Sequence, residues 1–116
     1  MKSILLLALF LGPGIFPKGY PLQIFNTSLT VTVRDDLGNT VEGADVKLFE
    51  KKDDYIKEQN QVEVGKTDKK GIIRFMKLKP IAYFILVRKG EKDNTNGGEE
   101  TKLKDGKFNK VTVIIQ

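Results

Sequence analysis

The chain predicts an all-β fold, a small antiparallel β-sandwich, on two observations. Apolar and polar side chains alternate in short runs, and turns rich in Asp, Asn and Gly separate those runs. A third observation concerns destination. The domain follows an apolar amino-terminal run with the character of an export signal.

Residues 29–34 (L-T-V-T-V-R) set Leu29, Val31 and Val33 on one face and Thr30, Thr32 and Arg34 on the other. Residues 35–39 (D-D-L-G-N) form a turn in which Gly38 is able to take positive φ. Residues 40–44 bend into a second strand, 45–50, with Val46 and Leu48 inward and Gly43 at a bulge or corner. Residues 51–60 are polar and helix-tolerant. They read as a loop with one helical turn over a sandwich edge, anchored by Tyr55 and Ile56.

Residues 62–67 and 72–77 flank D-K-K-G at 68–71, a hairpin signal. Residues 81–89 (I-A-Y-F-I-L-V-R-K) form the most apolar strand, with Tyr83, Ile85 and Val87 on one face and Phe84 and Leu86 on the other. Two readings follow. Either this is a central strand covered on its outer face, or Tyr83, Phe84 and Leu86 belong to an apolar surface for docking or dimerisation. Residues 90–100 read as a long polar loop, and 109–115 as a closing strand with Val111, Val113 and Ile115 inward.

At 116 residues the chain has room for one domain, of which about 90–95 residues fold. It holds no His, Cys or Trp. That excludes disulfides, thiolate nucleophiles and zinc–thiolate sites, and it removes the commonest general base and metal ligand. Net charge is +5, and loss of Lys2 and Lys18 with the leader leaves 18 basic against 15 acidic residues. The lysines are interleaved with acids, as on a solvated surface, so no nucleic-acid partner is expected.

Met1-Lys2 and the apolar run at 4–11 match the start and core of a signal peptide. Eight residues are too few for a spanning helix, which needs about 20. The expected organisation is a signal peptide over 1–19, an extension over 20–28 and a freestanding sandwich domain over 29–116. No membrane span is expected in the mature chain.

Oxygen-rich segments raise the question of calcium. The turn Asp35-Asp36…Asn39 and the loop carrying Asp93, Asn94, Asn96, Glu99 and Glu100 hold suitable atoms, the loop being the better candidate for its length. Neither has the EF-hand spacing, and such clusters are also ordinary turn chemistry. No nucleophile, base and oxyanion donor assemble, so no catalytic residue and no cofactor is expected.

The order of the first strand, D-D-L-G-N-T-V-E-G-A-D-V-K-L, T-D-K-K-G-I-I-R-F and K-P-I-A-Y-F-I-L-V resembles the carboxypeptidase regulatory-like family. With it come the transthyretin-like (prealbumin-like) sandwiches and the collagen-adhesin B-type repeats. The resemblance covers residues 29–89 and implies a Greek-key β-sandwich of about seven strands, used as an accessory module on exported bacterial proteins. Peptidase activity does not carry over, since the zinc-binding His residues are missing. Adhesin repeats often join a Lys of the first strand to an Asn. Here 29–34 contains no Lys, and Asn109 has no evident covalent partner.

The resulting expectation is a secreted, non-catalytic binding module, periplasmic or at the cell surface, whose partner is an unknown envelope protein or ligand. The alternative is an assembly protein forming homo-oligomers through strand edges or the strand 81–87. A calcium-dependent binder is a weaker third.

Overall fold

Residues 27–116 are described by the computed structural model. The expected signal peptide and most of the expected extension lie outside the described residues. Strand β1 (Ser28–Asp35) follows its alternation, burying Leu29, Val31 and Val33 completely. Then come β2 (Asp45–Phe49), helix α1 (Lys52–Lys57), β3 (Glu63–Lys66), β4 (Ile72–Phe75), β5 (Ala82–Lys89), β6 (Lys92–Asp93), β7 (Glu99–Lys102) and β8 (Phe108–Ile115).

The strands form the two sheets of an all-β sandwich. One has the order β4-β1-β8 and the other β3-β2-β5-β6, with β7 also paired to β5. The core lies between them, built from the inward rows of β1, β2 and β5 with Phe75, Val113 and Ile115. One pairing departs from the antiparallel rule. β1 and β8 run parallel from Ser28 opposite Phe108 to Asp35 opposite Ile115.

The hairpin expected around residues 68–71 does not form a ladder. The turn itself is made: Gly71 N donates to Asp68 O at 2.9 Å, and the Asp68 carboxylate accepts from Lys70 N and Ile72 N. The flanking strands then part, β3 pairing with β2 and β4 with β1. The turn therefore carries the chain from one sheet to the other. Gly71, at φ +76, is wedged where a Cβ would press on Val33 O and Val41 N. Thr67 fastens the other side, its hydroxyl donating to Val41 O at 2.6 Å and accepting from Ala44 N at 2.9 Å.

The long polar loop expected over 90–100 is also corrected, since it contributes β6 and the start of β7. Both lie against β5, whose backbone needs partners on that side. Of the two expected anchors of the 51–60 segment, Tyr55 is half-buried and Ile56 is exposed. No helix among the described residues is long and apolar enough to cross a membrane.

Candidate functional site

The sequence nominates the outer face of β5 and the loop beyond it. Tyr83 points into the core at 2% exposure, and its hydroxyl accepts from Lys79 N at 3.1 Å. Burial pushes the Tyr83 phenol above its ordinary pKa. Phe84 lies on the outer face opposite Phe49 and is half-covered by α1. Tyr55 of that helix sits with its ring centroid 6.0 Å from both Phe49 and Phe84. Leu86, 3% exposed, floors a hollow of about 270 Å³ walled by Asp45, Lys47 and Arg88. An exposed apolar patch is thus absent from β5, because α1 and the charged rim cover it.

Arg88 closes the rim through a forked pair to Glu58, at 2.9 and 3.1 Å. That hydrogen bonding holds the Glu58 carboxyl below its usual range. Glu58 itself sits at the left-handed cap of α1, so the ion pair ties the helix end to β5.

Asn94 is the pivot of the acidic loop. It is 3% exposed, its Oδ1 accepts from Val87 N at 2.9 Å, and its Nδ2 donates to Ile85 O at 2.8 Å. The side chain occupies the place of a strand on β5 between β6 and β7, and its oxygen is engaged there. Asp93 accepts from the Thr95 hydroxyl at 2.7 Å and from Thr95 N, which lowers its pKa. Asn96 is exposed, Glu100 is exposed opposite Phe84, and Glu99 stands in the β7 register opposite Ile85. Among the described residues no three acidic groups converge as a cation site would need.

The earlier turn is similar in construction. Asp35 Oδ1 accepts from Asn39 N and Leu37 N, and the Asn39 hydrogen bond leads in lowering its pKa.

A different feature stands where β7 and the start of β8 come together. Among the described residues β8 pairs only with β1, and its other edge has no strand partner until Gln116 exchanges two backbone hydrogen bonds with Asp93. Beside the start of that edge runs an open groove of about 500 Å³, lined by Thr101, Lys102, Lys104, Lys107, Phe108, Asn109 and Lys110. Phe108 is 75% exposed, and none of the four lysines has an ion-pair partner among the described residues. The sequence signal was the run K-L-K-D-G-K-F-N-K at 102–110, four lysines with one acid. Averaging charge over the whole chain hides it.

No family profile and no curated protein sequence matches the chain. Solved structures do resemble it. The Bacillus anthracis TIE protein superposes with a TM-score of 0.58 at 19% identity, over 76% of this chain and 16% of its own. The group B streptococcus pilus 2b backbone protein gives 0.58 at 17% identity, over 77% of this chain and 40% of its own. A streptococcal ancillary pilin gives 0.59 at 17% identity, over 99% and 36%. At such identity the likeness is one of fold. The chain spans less than half the length of each of these proteins.

Proposed function

We propose that this is a non-catalytic structural module of a bacterial surface assembly, a sandwich of the carboxypeptidase regulatory-like, transthyretin-like type that carries tension between its two ends. The observation behind the proposal is the parallel pairing of β1 with β8. Ser28 faces Phe108 and Asp35 faces Ile115, an unbroken register of eight pairs. Tension entering ahead of β1 and leaving after β8 pulls the ladder from opposite ends, along the strands. The hydrogen bonds are then loaded together in shear, and forced unfolding has to break them as a group. Resistance of this kind is a property of the unfolding barrier.

Two of the structures that the fold resembles are a pilus backbone protein and an ancillary pilin, which supports an assembly role over a solitary one. The apolar run at 4–11 supports export to the cell surface. Force spectroscopy on a tandem array of the domain tests the proposal. The expected record is a series of all-or-none steps after long lifetimes under load. Gradual extension at low force would sink it.

A further inference from the structure

We infer that the free edge of β8 is a docking site for an extended acidic peptide segment, which adds to the sheet as a strand beside β8 and places carboxylates among Lys102, Lys104, Lys107 and Lys110. The inference concerns a partner and holds whether or not the β1–β8 pair carries tension.

The β8 edge is long. Every other edge strand among the described residues is short: β3, β4 and β7 have four residues each and β6 has two. Short edges are a common protection against unwanted strand pairing. β8 has eight residues and a single charge, Lys110. Its stretch from Phe108 to Ile114 lies ahead of the Gln116–Asp93 closure and, among the described residues, leaves one row of backbone N–H and C=O groups without a strand partner. Seven residues of strand offer about 23 Å of ladder.

The side chains along that edge suit an acidic strand. The outward row of β8 continues from Phe108 through Lys110 and Thr112 to Ile114, matching Ser28, Thr30, Thr32 and Arg34 of β1. Phe108 and Ile114 are exposed apolar residues at the two ends of this row. In the inward row Asn109 is held by Lys104, Lys107 and Ser28, and half-buried Val111 packs against the core. An added strand therefore meets Lys110 and the ring of Phe108 on its outward face. Acidic residues at alternate positions place their carboxylates on that lysine-bearing face.

Charge at the edge is one-sided. Four exposed lysines without ion pairs among the described residues line one groove, and the acid between them, Asp105, accepts from the Thr27 hydroxyl at 3.3 Å. Such a concentration raises the local concentration of anionic partners and orients them. A backbone edge within the same groove favours a peptide over other polyanions, since only a peptide supplies the matching row of amides.

The test uses the full chain and a capped eight-residue peptide alternating Val and Glu, followed by fluorescence anisotropy and amide hydrogen exchange. Binding is expected to weaken as salt rises and to slow exchange at amides of residues 108–114. In the double variant Lys107→Glu, Lys110→Glu, both positions being exposed, affinity is expected to fall about tenfold. A peptide N-methylated at alternate amides on its pairing edge is expected not to bind. No binding of the parent peptide would overturn the inference. So would equal binding of the N-methylated peptide or of dextran sulfate without added protection in β8, which would leave a merely cationic surface.

Discussion

Lys104 and Asn109 are joined twice across the entry to β8: Lys104 N donates to Asn109 Oδ1 at 2.8 Å, and Asn109 Nδ2 donates back to Lys104 O at 3.2 Å. The same amide reaches Ser28 O at 3.0 Å and Lys107 O at 3.1 Å. One side chain thus sets the loop that shapes the lysine groove and ties it to the start of β1. Asn109→Ala is expected to cost about 1–2 kcal/mol, because the site is half-buried and water replaces part of what is lost. The midpoint of urea unfolding measures it, with an unchanged slope.

Asn94 has a larger expected effect, since it satisfies the buried backbone at both Val87 and Ile85. Asn94→Ala is expected to destabilise by about 2–4 kcal/mol, the cost of leaving two such groups without partners. Thermal unfolding with calcium and with chelator separates this role from that of a metal ligand. The strand-capping role costs the same in both media.

Glycine at two turns gives a paired comparison. Gly38 and Gly71 both have positive φ, but a Cβ at Gly38 meets open space, whereas at Gly71 it meets backbone. Gly38→Ala is expected to cost about 1–2 kcal/mol from conformation alone. Gly71→Ala is expected to cost measurably more in the same denaturant titration, because neither Val33 O nor Val41 N is able to withdraw without breaking the sheet crossing.

Acid should weaken the fold in a defined direction. Asp35, Glu58 and Asp93 all have pKa values lowered by hydrogen bonds made in the folded state. Their stabilisation is complete above the unfolded values, about 3.9 for Asp and 4.3 for Glu, and is lost as pH falls through the folded ones. Stability is expected to hold between about pH 7 and 5 and to decline below about pH 4. Asp35→Asn keeps the acceptor for Leu37 N and Asn39 N but does not titrate. It is expected to flatten the acid limb in a series of urea titrations across that range.

Local chemistry was legible in the sequence, and long-range pairing was not. The alternation in β1 and the Asp-x-x-Gly turns are written in neighbouring residues, and both appear where expected. The sheet crossing at residues 68–71 uses the same turn chemistry as a hairpin, so only the partners of β3 and β4 reveal it. Phe49 looks like an outward residue of β2, yet it is fully buried because Tyr55 folds back over it. Asn94 reads as an exposed ligand in a polar loop, but unpaired backbone on β5 draws it inside. The parallel register of β1 with β8 joins the two ends of the domain, a relationship no local pattern records.

The tension-bearing account is tested most directly by changing the pulling geometry. One tether is placed on the chain ahead of β1 and the other at Gln116 or, in Phe108→Cys, at the start of β8; the natural chain has no cysteine to interfere. Pulling through Gln116 loads the β1–β8 ladder in shear, while pulling through residue 108 peels the same ladder open from its Ser28 end. The account expects a clearly higher unfolding force at equal loading rate for the Gln116 geometry. Equal forces in the two geometries would contradict it.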